Sequence, residues 1–286
     1  MAIRFNEVSY FYEKKKKNQL VPAAIKDINL NIEEVGEFVT IVGHTGSGKS
    51  TLLQHINGLI LPTKGEVLIG DVKLSNKNKK LKLKPIRKKI GFVFQFPEYQ
   101  LFEETVLKDI VYGPKNFGFT DEEARKRAVA ISKEFNIYDI LDKSPFNISG
   151  GQMRKVAIAG ILAYSPDILL LDEPTRGLDP LGAKEIMDFF KKLQRDYNKT
   201  IIMITHDMDL VYEYSTRVIV MEKGSIAFDG KKEELFKEEY KKYHLTKPTI
   251  LKTIDYINSN TKYKIDYNNY NLNDLLKSLK AGDFNG

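Results

Sequence analysis

The chain of 286 residues carries 45 lysines and arginines against 38 aspartates and glutamates, a formal charge of +7, and no cysteine. Its length suits one large domain or two modest ones, and the missing cysteine excludes a disulfide framework and a thiolate metal site. No apolar run reaches the roughly eighteen residues that cross a bilayer and the N-terminus shows no signal-peptide pattern, so a soluble, intracellular protein is expected. The positive charge is compatible with nucleic acid or an anionic membrane face. Lysine, however, rises together with asparagine, isoleucine and tyrosine, so the clusters Lys14 to Lys17 and Lys77 to Lys84 are read as solvated loops, with a basic interaction patch as the alternative, and no nucleic-acid partner is expected.

Ile3 to Val8 and Ile25 to Ile32 alternate apolar and polar residues, the pattern of half-buried antiparallel strands. Between them stand Tyr10, Phe11 and Tyr12. One of these rings is placed to stack on a flat base such as adenine. Core packing is the alternative for Tyr10 and Phe11, so Tyr12 is the candidate. The β-branched run Phe38 to Val42 reads as a buried strand, and it feeds Gly43-His44-Thr45-Gly46-Ser47-Gly48-Lys49-Ser50-Thr51, which fits the phosphate-binding pattern of glycine, four free positions and Gly-Lys-Ser. Leu52, Leu53 and Ile56 then recur at helical spacing. Glycines let the backbone approach a polyphosphate, and the helix N-terminus adds free amides and a positive dipole end. Lys49 supplies a charge for the β and γ phosphates and Ser50 a hydroxyl for Mg2+. The bland reading is a glycine-rich turn with a solvated lysine.

Pro62 to Gly65 is expected as a turn, Glu66 to Ile69 as a short strand, Gly70-Asp71 as a second turn, and the lysine-rich stretch through Lys89 as an exposed connection. Ile90 to Phe94 returns to buried-strand character. Gln95 at its end either reaches Mg2+ and the attacking water or is an ordinary edge residue. From Glu104 to Tyr164 the pattern is helical, with a capping box at Thr120 and Glu123, which indicates a helical subdomain over about 103–164. Within it Ile148-Ser149-Gly150-Gly151-Gln152 opens a helical run from Met153 to Tyr164, a second anion cradle.

Ile168 to Leu171 reads as a buried strand ending in Asp172 and Glu173. Two acids there call for a cation; Mg2+ would supply it, with Asp172 orienting the metal and Glu173 acting as base or water-positioning group. A strand simply reaching the surface is the alternative. A loop from Pro174 to Pro180 contains Asp179, an amphipathic helix covers Ala183 to Leu193, and a strand from Thr200 to Thr205 delivers His206, which is either structural or a hydrogen-bond donor to a γ phosphate. Arg217 to Met221, Lys223-Gly224 and Ser225 to Phe228 form a closing hairpin. Beyond Gly230 the composition changes: a charged helix is expected from Lys231 to Tyr243 and an amphipathic one from Asn268 to Leu279. Docking of this extension on its own core is expected, with another subunit as the alternative.

Taken together, Gly43 to Thr51, Gln95, Ile148 to Gln152, Leu169 to Glu173, Gly177-Leu178-Asp179 and His206 resemble, in order and spacing, the motifs of the ATP-binding cassette ATPases. The resemblance covers nearly all of residues 1–230. It implies an α/β fold, a P-loop ATPase core with an antiparallel β subdomain, an inserted helical subdomain and a small C-terminal extension, divided as 1–232 and 233–286. It also implies ATP and Mg2+, and a dimer in which Ser149, Gly150 and Gly151, with Gln152, close over the nucleotide of the opposite subunit. By the same transfer Tyr12 is similar to the adenine-stacking aromatic, Gln95 to the metal and coupling glutamine, Glu173 to the catalytic base, Asp179 to the cross-dimer contact and His206 to the γ-phosphate switch.

Residues 43–48, 96–106, 113–118 and 150–160 are similar to energy-coupling factor transporters, in particular to the second of their two paralogous ATPase subunits. That resemblance implies uptake of vitamins or transition metal ions at the cytoplasmic face of the membrane. The partners it implies are a paralogous ATPase subunit, with a heterodimer favoured over a homodimer, a transmembrane coupling subunit and a substrate-binding membrane subunit; the extension takes part in ATPase pairing. Ile148 stands where leucine is usual and Arg176 where a small residue is common. The rival readings are a soluble cassette ATPase of DNA repair or translation and a conventional importer ATPase.

Overall fold

Ile3, Phe5 and Val8 are buried on one face of β1 (Ile3–Tyr10), and Ile25, Ile28, Leu30 and Ile32 on β2 (Ile25–Ile32), so the alternation in the sequence becomes one wet and one dry face. A computed structural model describes residues 1–12, 22–33, 36–77, 82–237, 239–261, 265 and 275. With β4 (Lys64–Ile69) and β5 (Val72–Leu74), the first two strands build an antiparallel sheet of order β2-β1-β4-β5. Strand β4 begins at Lys64, inside the expected turn, because Lys64 pairs with Ser9.

The second sheet has six strands in the order β10-β9-β3-β8-β7-β6: β3 (Phe38–Val42), β6 (Ile90–Val93), β7 (Ile168–Asp172), β8 (Thr200–Ile204), β9 (Arg217–Glu222) and β10 (Ser225–Lys231). All neighbours are parallel except β9 and β10, which form the hairpin. β3, β6 and β8 are buried throughout, which is why they read as continuous apolar runs. The pleat divides each strand between two cores: Ile168 and Leu170 join a cluster with the antiparallel sheet and helix α1 (Lys49–Ile56), while Leu169 and Leu171 join one beneath the helices of the opposite face.

Those helices are α3 (Val106–Asn116), α4 (Asp121–Glu134), α5 (Gly150–Leu162) and α6 (Pro180–Tyr197). Thr120 and Glu123 make the expected capping box at α4. The lysine-rich stretch is not wholly an exposed connection. Its last six residues form α2 (Lys84–Lys89), started by a proline in the first turn and held by buried Ile86.

Three further elements had no expectation: β5, α7 (Met208–Tyr214) and α9 (Thr249–Asn260). The expected charged helix is shorter, α8 (Lys232–Lys237): β10 takes Lys231, and Glu239–Lys241 form a separate 3-10 turn. The helix expected from Asn268 to Leu279, like Lys14 to Lys17, lies outside the described residues, Leu275 excepted. Leu275, Leu235, Phe236, Tyr240, Leu251 and Ile254 share one buried cluster with Val42, Val218 and Val220 of the main sheet.

Candidate nucleotide site

In an open parallel sheet the ligand crevice lies beyond the carboxyl ends of the strands. Here β3 runs into the glycine loop, β6 is followed by Gln95, β7 by Glu173 and β8 by His206. A cavity of about 410 Å³ opens at this edge, lined by Tyr12, the loop residues Thr45, Gly46 and Gly48 to Thr51, Gln95, Asp172, Glu173, Arg176 and His206.

Gly43 and Gly48 take φ of 138° and 102°. A Cβ at Gly43 would stand 2.2 Å from the Met221 carbonyl oxygen, and one at Gly48 2.5 Å from that of Ala24, so the loop admits no side chain at either position. Lys49 is 6% exposed, and its Nζ donates to the carbonyls of Gly43 and His44 at 2.8 Å each. Burial pushes its pKa down, and the charges of Glu173 and Asp172 oppose that. Ser47 Oγ is buried without a hydrogen-bond partner in the protein. An orphaned hydroxyl inside an amide-lined loop is where a phosphate oxygen would be received.

Tyr12 is 65% exposed, and its hydroxyl meets Thr51 Oγ1 at 2.9 Å. Tyr10 is packed against the first core and meets Tyr12 edge-on, ring centroids 5.0 Å apart. Of the three aromatics, only Tyr12 lines the cavity.

Ser50 hydrogen-bonds Asp172, whose carboxyl is raised above the usual carboxylate range by burial, against that bond and the charge of Lys49. Glu173 is raised too, first by burial and then by the neighbouring Asp172. Its backbone is left-handed, φ 51°, and its N–H donates to the Ile204 carbonyl at 3.0 Å, which turns the side chain out of the strand register. Glu173 Oε1 lies 3.3 Å from His206 Nε2. His206 is held below its ordinary pKa by burial, Lys49 and Arg176, so its imidazole is neutral at pH 7.

The donors fit Mg2+: a serine hydroxyl, a carboxylate and a glutamine oxygen are hard ligands, and Mg2+ is ordinarily held by one or two carboxylates with phosphate and water completing its shell. Among the described residues no group of three or more His, Cys, Asp or Glu side chains could hold a metal without such help.

Ser149, Gly150, Gly151, Gln152 and Asp179 do not line this cavity. Ser149 caps α5, accepting from Gln152 N–H while Gln152 Oε1 accepts from Ser149 N–H. Asp179 caps α6 through the N–H groups of Leu181 and Gly182. A Cβ built on Gly150 or Gly151 would meet nothing within 4 Å, and both glycines are exposed. Glycine in a helix costs about 1 kcal/mol relative to alanine. No contact among the described residues accounts for that cost.

Two arginines were not among the sequence candidates. Arg176 lines the cavity, its guanidinium 5.8 Å from the Phe96 ring, and the only signal was its unusual size in the loop before Asp179. Arg154 is buried and makes long-range hydrogen bonds that no local pattern announces.

Residues 25–176 match the family model described as ABC transporter. The chain is 53% identical over 239 residues to the energy-coupling factor transporter ATP-binding protein EcfA2 of Enterococcus faecalis, covering 83% of this chain and 82% of that protein. It is 51% identical over 251 residues to the protein of that name from Ligilactobacillus salivarius, covering 87% and 86%. Among solved structures, CbiO1 of Clostridium perfringens, described as part of the ABC transporter complex CbiONQ, superposes with a TM-score of 0.72 at 36% identity, covering 90% of this chain and 94% of that one. The ATP-binding cassette MJ0796, solved as a post-hydrolysis dimer with ADP and Pi, gives 0.70 at 36% identity over 80% and 98%. With its glycine loop, strand-end acids and histidine at one sheet edge, the chain belongs to the ATP-binding cassette family of transporter ATPases.

Proposed function

We propose that this chain is an ATP-hydrolysing subunit of an energy-coupling factor transporter, paired with a paralogous ATPase subunit and driving uptake of a vitamin or transition metal ion. The observation that carries the reading is the split of the motif residues: one set lines the cavity, while the exposed pair Gly150-Gly151 offers amides and bare backbone outward. Such a pair has a use when a second cassette brings its nucleotide to it. Identity of about half to proteins named EcfA2 supports the transporter class. No helix among the described residues is long and apolar enough to cross a membrane, so attachment at the cytoplasmic face would come from the membrane coupling subunit, with cargo recognised by a separate membrane protein. The extension from about Glu233 would add to the pairing surface of the cassette of residues 1–232.

In this mechanism the amides of Gly46 to Ser50 and the Lys49 ammonium hold the β and γ phosphates, Ser47 Oγ receives a phosphate oxygen, and Tyr12 stacks on the adenine. Ser50, Asp172 and Gln95 would hold Mg2+, which when bound neutralises charge on the β and γ oxygens. Glu173 accepts the proton of the attacking water, a task that suits a carboxylate whose basicity burial has increased. The neutral His206, beside Glu173, offers its one N–H to a γ-phosphate oxygen. Ser149, Gly150 and Gly151 of one subunit, with Asp179, close the site of the other.

The test is to co-express the chain with a paralogous ATPase subunit and a membrane coupling subunit and to measure ATP turnover in vesicles. Stimulated turnover in the co-purified complex is expected. Full turnover by the chain alone, or hydrolysis stimulated only by nucleic acid, would overturn the reading.

A further inference from the structure

Arg154 lies on α5, five residues after Ser149, and is 3% exposed. Its Nε and Nη2 donate to Oε2 and Oε1 of Glu98 at 3.2 and 3.3 Å. Nη2 also donates to the Gln95 carbonyl at 3.3 Å, and Nη1 to the carbonyl of Arg176. One planar guanidinium therefore joins three segments: the loop after β6 that places Gln95 in the cavity, the N-terminal turns of α5, and the loop from Arg176 to Asp179. A buried guanidinium fork with both carboxylate oxygens engaged is a rigid joint, and lysine, with a point charge and no plane, cannot reproduce it.

We infer that Arg154 is a positioning residue that makes these three segments move as one body, so that nucleotide and metal bound through Gln95 set the surface presented by Ser149 to Gly151 and Asp179. The inference deepens the paired-cassette reading and rests on it for the use of that surface. Its physical content concerns this chain alone. Gln95 touches the cavity and Ser149 does not, yet both are tied to the same side chain within a few residues.

The experiment is hydrogen exchange on the full-length chain, comparing wild type with Arg154→Lys and Glu98→Gln, with and without Mg2+ and a non-hydrolysable ATP analogue. In the wild type, binding slows exchange together in residues 95–98, 149–153 and 176–179. In either variant the slowing at 149–153 and 176–179 is lost by about threefold or more, the size expected for residues in one hydrogen-bond network, while nucleotide affinity stays within about twofold. The substitution Glu98→Gln keeps the shape of its partner and stands in if Arg154→Lys does not fold. Variants that retain the concerted slowing overturn the inference, as do variants in which affinity and melting temperature fall in parallel, the mark of plain structural support. Neither arm needs a partner or turnover, so absence of stimulated hydrolysis in the co-expressed complex would count against the proposed function and leave this result standing.

Discussion

His206 Nε2 stands 3.3 Å from Glu173 Oε1, across the gap between the ends of two neighbouring parallel strands. Glu173 Oε1 is buried without a hydrogen-bond partner, its carboxyl is raised and the imidazole is lowered, so the contact leaves Glu173 its capacity to take a proton. Glu173→Gln preserves shape and removes that capacity. Turnover of the assembled complex should fall by about 10²–10⁴ with nucleotide affinity retained, as read by single-turnover kinetics beside a binding titration. Unchanged turnover would remove Glu173 from the role of base.

The same carboxyl carries a stability consequence. A folded-state pKa raised above the unfolded value means that the folded chain binds more protons, so stability falls as pH rises through that window and the cost is present at neutral pH. Glu173→Gln should therefore melt higher than wild type at pH 7 without nucleotide, by on the order of 2–4 °C for each kcal/mol recovered, and the advantage should vanish below the carboxylate range. Calorimetry at two pH values decides it. The acid limb of the wild-type pH–rate profile should likewise lie above that of an ordinary glutamate.

Tyr12 is held by one hydroxyl contact and one edge-on ring. Replacement by alanine should weaken ATP binding by about 1–3 kcal/mol, the range for a base on an aromatic platform, and leave the maximal rate unchanged. Tyr12→Phe, which loses only the bond to Thr51, should weaken binding less. Fluorescent-nucleotide titration separates the two, and equal losses would show that the hydroxyl rather than the ring carries the affinity.

Gly151→Ala adds a methyl into open space on a helix. The isolated chain should bind nucleotide as before and melt no lower, whereas turnover of the paired assembly should drop at least about tenfold. A variant with full turnover would show that nothing closes on this surface.

His55 is fully buried on α1. Its Nδ1 lies 2.7 Å from the Thr51 carbonyl, its Nε2 has no partner, and burial pushes its pKa down to about 4. The unfolded chain takes up this proton near pH 6.5 and the folded chain only near 4, so stability is lost as pH falls through that window, by about 3 kcal/mol at its foot. His55→Phe keeps a ring against Tyr10 and should flatten urea-denaturation midpoints between pH 6.5 and 4. A wild-type slope persisting in the variant would assign the acid sensitivity elsewhere.

The site was legible because its chemistry is local. The loop from Gly43 to Thr51, the acids ending β7 and the residue closing β8 each announce themselves within a few positions, and the fully buried strands leave apolar runs that only a covered parallel sheet explains. What escaped depends on distant contacts. β5 is three residues long and exists by pairing with β4, and Arg154 looks like any polar residue on a helix until Gln95, Glu98 and Arg176 fold around it.

Thr249 donates its N–H and its hydroxyl to the carboxylate of Asp209, three residues past His206, and the imidazoles of His44 and His244 face each other with centroids 6.1 Å apart. Three of the four histidines thus border one small hollow of about 200 Å³ between glycine loop and tail. Anyone trimming the gene to obtain a minimal catalytic fragment should therefore avoid a stop codon after residue 232. The shortened product would lose Leu235, Phe236, Tyr240, Leu251 and Ile254 from the cluster that holds Val42, Val218 and Val220, beside the very loop being assayed.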